Sequence, residues 1–492
     1  MKLNFREKGI PKWIRHRLLV LFLIFTGALV VFQILLNLGE EEKKVTMAEA
    51  TLPLVGVQTY DHTMGELHGY RTQMDACYMR DALIPLDSKR KMDLTINTYG
   101  YDVDSVSYEV RSLDTQRKIA DTKVSDWNKD GNTWTKSLQI ENLVDEGQEY
   151  LFILKLHCKS DDLYYYTRIT LPEETYAKKC LEFTDSFHNV SMSDQYELLA
   201  SYIEPADYTD KNDLGNVNIN SSIDQIGWRG FAGKQGGDPL VSFTDINDTY
   251  ASLVYTYQMA EEADGATNYY NVEEYYKVRY TDQQIYLLDY QRSMEQIIDT
   301  ASVNVSGNIL SVGVTSDTTG YLSNETGTIV SFVQSGQLFE YNQNKQTFTK
   351  VYGFIDDPTD ARQSYGQHNI RILNIDETGN MDFVVYGYMN RGQHEGESGI
   401  DLYHYDSIKQ EAIEQVFIAT THSYQILNAD FSDLLYENAD GDFYIMMGGT
   451  LAKVGLDDLS TKELITNLKS DQYAVSSSGR YVAWMTEDDV AD

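Results

Sequence analysis

Oxygen-bearing side chains alternate through Asn374, Asp376 and Thr378, Gly379 follows, and Asn380 and Asp382 complete the run NIDETGNMDF ahead of the apolar segment FVVYG. In a calcium loop of the DxDxDG kind, side-chain oxygens at positions 1, 3 and 5, a glycine at 6, a carbonyl at 7 and a later acid surround the ion. Here an amide and a hydroxyl replace two acids. The ligand set therefore carries only about two formal charges, and affinity falls accordingly. The same residues also suit a plain turn, in which Asp and Asn side chains accept hydrogen bonds from their own backbone. Both accounts stay open, and calcium is the one cofactor the sequence offers.

A second candidate, DWNKDGNTW, holds Asp126, Asn128, Asp130 and Gly131. It begins like an EF-hand loop, but Ser137 stands where the closing bidentate Glu belongs. An Asp-Gly hairpin turn explains it. The most heavily functionalised stretch is MNRGQHEGESG, from Met389 to Gly399, with Arg391, His394, Glu395 and Glu397. Long loops on rigid scaffolds often bind ligands, and these four residues are the binding-loop candidates. The bland account is a solvated hairpin. The stretch is not HExxH; histidine next to glutamate could do acid–base work, but no nucleophile is identifiable beside His394. No catalytic residue is assigned, because GxSxG, Walker, dinucleotide-glycine and CxxC patterns are all missing from the sequence.

These loops need a location and a scaffold. Residues 1–17 are rich in Lys and Arg, and residues 18–38 contain no charge. About 20 apolar residues span a bilayer as a helix, and the basic flank keeps the N-terminus cytoplasmic. The expectation is a cytoplasmic tail, a single-pass transmembrane helix and a stalk over residues 39–52, with the bulk of the chain extracytoplasmic. A cleaved signal peptide is the competing account, since Ala48-Glu49-Ala50 fits a small-x-small site. The apolar run, however, exceeds the ~7–15 residues of a signal core. The formal charge is −35, and the first 38 residues are net basic, so the exported part is strongly acidic. Such a surface repels nucleic acid and anionic polymers. The partners expected are the membrane and an envelope protein or glycan. Three cysteines, Cys77, Cys158 and Cys180, are too few for a disulfide scaffold and read as structural thiols.

The fold class expected is mainly β. Residues 53–172 alternate apolar and polar positions in short runs such as KMDLTINTYG, DSVSYEVRSLD and EYLFILKLHC. In VDEGQEYLFILKL, Gly147 precedes Tyr150 by three residues, and Tyr150, Phe152, Leu154 and Leu156 alternate. This resembles the E–F corner of fibronectin type III and immunoglobulin-like sandwiches, which implies a tyrosine that hydrogen-bonds back to the corner. In residues 173–205 the period changes, and Tyr176, Cys180, Phe183 and Phe187 recur at helical spacing. A short helical connector is expected there, its aromatic stripe serving packing.

Residues 206–492 return to strands. Units of similar pattern begin at Gly327, Met381 and Ser432, and a fourth opens around residue 480. A β-repeat of about 40–50 residues marks a propeller blade. SSSGRYVAWM and QSGQLFEYNQNKQ resemble propeller blade segments, and NIDETGNMDF followed by FVVYG resembles the cation loop of FG-GAP, integrin-type blades. The resemblance implies a β-propeller-like domain. Its last unit stops after one strand pair, so a truncated propeller is the expectation favoured.

Together these readings predict a membrane-anchored extracytoplasmic binding, sensing or scaffolding protein of a bacterial cell envelope, without catalysis. The alternatives are an envelope polysaccharide or peptide hydrolase or lyase on a propeller scaffold, and an extracytoplasmic regulator of a membrane signalling or wall-synthesis complex.

Overall fold

Alternation with period two is realised almost residue by residue in Lys91–Asn97, where Met92, Leu94 and Ile96 are buried and Lys91 and Asp93 are exposed. The computed structural model describes residues 47–80, 82–140, 144–159, 161–203, 214–263, 265–281, 284–300, 303–306, 309–315, 320–433, 435–438, 442–455, 460–469, 473–476 and 481–485. The expected tail, transmembrane helix and most of the stalk lie outside these residues. Among the described residues no helix is long and apolar enough to cross a membrane.

The protein is mainly β. A first antiparallel sheet orders its strands His62–His68, Leu54–Thr59, Lys91–Asn97, Thr133–Gln139 and Asn128–Asp130. It faces a second sheet across one core, in which Val55, Leu94 and Ile96 meet Phe152, Leu154 and Leu156. Strand Glu149–Cys158 is central to that second sheet, between Val103–Ser112 and Asp162–Thr170. At its start the Tyr150 hydroxyl accepts from the Asp145 backbone N–H at 3.1 Å and lies 3.3 Å from the Asp145 carboxylate, so the expected corner contact is present. Leu151 and Ile153, on the strand's other face, are also buried, because a satellite cluster with Tyr70, Met74, Tyr166 and Tyr388 covers them.

The second sheet does not stop at the sandwich. The short strand Leu83–Pro85 lies parallel to Asp162–Thr170, and on its far side Leu83 pairs with Phe243 of Leu240–Ile246. From there the sheet continues through Ala251–Ala263, Ala266–Tyr280, Ile285–Ile297 and Asn216–Asn218. Residues 240–297 were expected among the C-terminal repeats. They instead extend the sandwich sheet, a correction the sequence could not supply, because alternation says nothing about which edge a meander joins.

Helix Glu174–Ser191 packs on this extension rather than linking two separate domains. Glu173 caps it by accepting from the backbone N–H groups of Thr175 and Tyr176. Its buried face, including Cys180, Leu181 and Phe187, meets Tyr255, Tyr276 and Tyr290. A 3-10 turn, Tyr196–Ser201, follows. All three cysteines are free, and Cys180 is wholly buried among these side chains.

The C-terminal part forms three four-stranded antiparallel meanders, at Tyr321–Tyr352, His368–Ala419 and Leu435–Ile465. In the first two, the leading strand precedes the unit start expected from the sequence, because Tyr321–Ser323 and His368–Ile375 lie upstream of Gly327 and Met381. Two further strand pairs, Asn304–Ser306 with Ile309–Ser311 and Tyr473–Val475 with Val482–Trp484, flank them. Among the described residues no propeller ring is closed.

One buried charge network locks the helix to the extension. Glu274, with no exposure, sits 2.7 Å from His188 Nδ1 and accepts from the hydroxyls of Tyr276 at 2.7 Å and Tyr257 at 3.1 Å. Burial opposes the charge of Glu274, but His188, Arg292 and Tyr276 outweigh it and hold the carboxyl below its ordinary value. Burial likewise works against a charged His188, and Glu274 raises the imidazole above its ordinary value all the same. The depressed carboxyl contributes stability that is lost as pH falls through its folded pKa. The raised imidazole contributes stability that is lost as pH rises through its own. Glu274→Gln leaves a buried imidazolium without its anion, and urea unfolding at pH 6 should register a loss of about 3–5 kcal/mol. Tyr276→Phe removes one donor and should lose no more than about 1–3 kcal/mol.

Candidate functional site

The loop between strands Met381–Tyr388 and Ser398–Asp406 carries Arg391, His394, Glu395 and Glu397, and it divides them between different tasks. Glu395 is buried. Its carboxylate accepts from Thr51 N at 2.6 Å, Leu52 N at 3.0 Å and the Thr51 hydroxyl at 2.5 Å. Arg71 donates from Nε to the Glu395 carbonyl at 2.8 Å, and its backbone N–H reaches the Gly396 carbonyl at 2.8 Å. Gly396 has φ +80°, and a Cβ there would lie 2.5 Å from the Leu52 side chain and 3.1 Å from the Gly69 carbonyl. Glu395 is therefore a clasp between the loop and the chain entering the sandwich. Arg391, also buried, pairs with Asp356. Of the four, the structure brings together His394 and Glu397, with Nδ1 at 3.1 Å from Oε2.

In the NIDETGNMDF loop, Asp376 Oδ1 accepts from Thr378 N at 2.7 Å, the Thr378 hydroxyl at 2.7 Å and Asn380 N at 3.0 Å. Its Oδ2 accepts from Asn380 Nδ2 at 2.9 Å. Burial opposes its charge, yet these bonds outweigh it and hold the carboxyl below its ordinary value. Asn380 Oδ1 accepts from Ser407 N at 3.0 Å, and Asp382 pairs with His404 at 2.6 Å. Glu377 reaches across to the preceding meander, accepting from Asn324 Nδ2 and the Thr326 hydroxyl. Asn374 lies opposite Asp382 across the strand pair. Asp376 and Asp382 thus point to different partners, and the loop is built as a turn that ties neighbouring sheets. Beneath it lies Glu340, so close that a Cβ on Gly379 would sit 3.1 Å from its carboxylate. Burial and the charge of Asp376 hold the Glu340 carboxyl up at about 7, against the pull of Lys345. The DWNKDG stretch forms a hairpin, with Asp130 opposite Thr133 and Gly131 at φ +58°.

The structure adds a cleft that the sequence did not disclose. A cavity of about 780 Å³ opens between the sandwich, the sheet extension and the C-terminal meanders, within the usual size of a ligand site. Glu66 comes from the first sheet, Glu273 and Glu295 from adjacent strands of the extension. Because Glu273 pairs with Ser293 and Asn271 pairs with Glu295, the two acids are diagonal neighbours on one sheet face. Glu274, the next residue, necessarily points to the other face, where it meets His188. Burial raises the carboxyl of Glu66, helped by Asp360, and burial raises that of Glu273. Tyr70, Tyr166 and Tyr365 add aromatic wall, and among the described residues no lysine or arginine lines the cleft. His68 stacks on Tyr365 at 3.8 Å, and burial pushes its imidazole down to about 3, so it is neutral.

Two further acids complete the surroundings of His394. Asp401 and Glu414 stand on strands Ser398–Asp406 and Glu411–Ala419, and with His394 they form the one group of three metal-capable side chains among the described residues. Burial holds the Asp401 carboxyl up at about 7. A sequence signal for it existed, since Asp401 interrupts an apolar strand between Ile400 and Leu402. The cleft acids had none, because a strand near residue 66 and a hairpin about 200 residues later supply them.

No family model matches the chain, and no curated protein matches it. Among solved structures, the extracellular domain of a protein described as a one-component system from B. thetaiotaomicron aligns with 46% of this chain and 27% of its own, at 10% identity and TM-score 0.20. Dipeptidyl peptidase 4 of Porphyromonas gingivalis aligns with 46% of this chain and 40% of its own, at 9% identity and TM-score 0.18. The aligned regions thus span well under half of either protein, and scores this low mark no shared overall fold.

Two outcomes test these assignments. Glu395→Ala strands the Thr51 and Leu52 donors, and each hydrogen bond to a charged group is worth about 1.5–3 kcal/mol. Limited proteolysis should then cut near residues 47–52 far faster than in the unaltered chain. Glu340 has a folded pKa above its unfolded one, so its contribution is fully present below about 4.5 and is lost as pH rises toward about 7. Glu340→Gln should flatten that decline and stabilise the protein at pH 8 by about 2–3 kcal/mol, measured by urea unfolding at pH 4.5 and 8.

Proposed function

We propose that this chain is a single-pass, membrane-anchored binding or sensing protein of a bacterial cell envelope, with its bulk outside the membrane, and that its cleft takes a ligand bearing organic ammonium groups. The observation that carries the ligand class is the lining of the cleft. Glu66, Glu273 and Glu295 line it together with Tyr70, Tyr166 and Tyr365, and among the described residues no lysine or arginine does. Carboxylates in a partly desolvated site favour a cation that can neutralise them, and tyrosine faces attract the same charge. The membrane anchor rests on the charge-free run over residues 18–38.

The architecture supports this reading. The two-sheet unit with its Tyr150 corner fits a fibronectin III or immunoglobulin-like sandwich, and the three meanders fit propeller-like blades. A ligand in the cleft would touch walls from all three regions at once, which is how occupancy could be transmitted along the chain. A hydrolase that relies on Glu395 finds less support, because the oxygens of that residue are taken up by Thr51 and Leu52.

Titration calorimetry of the full chain in detergent, with spermidine as probe and an uncharged polyol of similar length as control, tests the proposal. Spermidine should bind saturably, more weakly as salt rises, and Glu273→Gln and Glu66→Gln should each weaken it about tenfold. Absence of saturable binding, or binding that neither substitution alters, removes the proposal.

A further inference from the structure

We infer that His394, Asp401 and Glu414 form a binding site for a divalent transition metal ion of the zinc type. One potential ligand atom from each lies within 4.8 Å of the others. The set mixes one imidazole nitrogen with two carboxylates, a donor combination suited to zinc and its first-row neighbours.

Four observations favour an ion. The first is Asp401, which is 1% exposed. One of its oxygens accepts from the Tyr403 hydroxyl at 2.7 Å, and the other, Oδ1, has no hydrogen-bond partner. A buried carboxylate oxygen left without a partner is unfavourable unless a cation or proton answers it. The second is spacing. His394 Nε2 lies 3.2 and 3.3 Å from the two oxygens of Glu414. Two ligands at about 2.0–2.2 Å on one tetrahedral ion stand about 3.3–3.5 Å apart.

The third is orientation. His394 Nδ1 is held 3.1 Å from Glu397 Oε2. A carboxylate accepting from Nδ1–H fixes the tautomer that leaves the Nε2 lone pair facing the other two acids, the usual arrangement around a metal-bound histidine. The Phe417 ring stacks on the imidazole at 3.7 Å and 13°, which fixes the plane of the ring. The fourth is locality. One loop and two adjacent strands of a single meander supply every group, so the site needs no particular placement of the other regions. Three protein ligands leave a fourth position open for water or a ligand group. Glu397 acts here as a positioning residue.

The rival account of the same distances is an imidazolium held between Glu397 and Glu414 with no metal. Zinc titration of the chelator-treated full chain in detergent, in competition with a chromophoric chelator, separates the two. One equivalent of Zn²⁺ should bind. His394→Ala and Asp401→Asn should abolish that binding, and Glu414→Gln, a conservative change on a partly exposed side chain, should weaken it at least tenfold with the fold kept. Glu397→Gln should weaken it about 10–100-fold. Cobalt(II) in the same site should show the intense visible absorption of low-coordinate cobalt, lost in Glu414→Gln. No stoichiometric zinc binding, or binding unchanged in both His394→Ala and Glu414→Gln, overturns the inference.

Discussion

Three residues, Leu83–Pro85, join the two halves of the longest sheet in this protein. Without them, Asp162–Thr170 and Leu240–Ile246 would each present an open edge, which invites pairing with other chains. So short a strand supplies few ladder bonds, and Arg168 reinforces it. This buried side chain pairs with Glu149 at 2.8 Å and donates to the carbonyls of Arg80 and Thr244, each at 3.0 Å. It thereby ties the sandwich, the segment leading into the splice and the first strand of the extension. Because the splice makes one sheet of two regions, Glu273 and Glu295 share a sheet with the sandwich. Glu66 stands on the first sheet, on strand His62–His68, which packs beside Leu240–Ile246 of the extension.

A chain so rich in acid has to settle each carboxylate that it buries. Glu274 is answered by His188 and three tyrosines, Glu109 by Arg111, Lys118 and Lys155, and Glu395 by two backbone N–H groups and a hydroxyl. These are structural uses, and each pins one element to another. Asp401 and Glu340 are the contrasting cases, each buried with an oxygen that lacks a partner. They differ in their neighbours. Glu340 faces Asp376, whose oxygens are filled by its own turn, so protonation is its natural resolution. Asp401 faces a histidine whose tautomer is set from behind by Glu397, so a metal ion is available to it as well.

What was legible in the sequence follows from how local each cause is. Period-two alternation found Lys91–Asn97 in the first sheet and Val103–Ser112 and Glu149–Cys158 in the second but missed Leu54–Thr59 and His62–His68, and the Gly147–Tyr150 spacing found the corner, because these signals depend on residues within a few positions. The helical spacing of Tyr176, Cys180, Phe183 and Phe187 found the helix for the same reason. Residues 240–297 were placed wrongly, since their partner is a three-residue strand more than 150 positions earlier. In the loop after Met389, residue types drew attention to the right stretch and misjudged its exposure. Burial of Glu395 and Arg391 depends on Thr51 and Asp356, which nothing nearby in the sequence announces. The NIDETGNMDF pattern was ambiguous in kind, because a calcium loop and an Asx turn use the same residues and differ in what the oxygens face.

The two candidate sites differ in what they require of the fold. The cleft draws its acids from the sandwich and the extension and its remaining wall from the meanders, so its shape depends on how those regions are held together. Part of that holding comes from Glu295, whose carboxylate accepts from Ser335 N at 3.1 Å, and from Gln258, which donates to the Pro358 carbonyl at 2.7 Å. A cation entering the cleft would compete for Glu295 and so act on one of the contacts that closes it. The His394 group has the opposite character, because its ligands sit on one hairpin, Ser398–Asp406 with Glu411–Ala419, and the loop that leads into it. A site of that kind keeps its geometry when the regions shift, whereas the cleft cannot. Of the two candidate sites, the cleft is therefore the one whose shape is tied to the contacts of Glu295 with Ser335 and of Gln258 with Pro358.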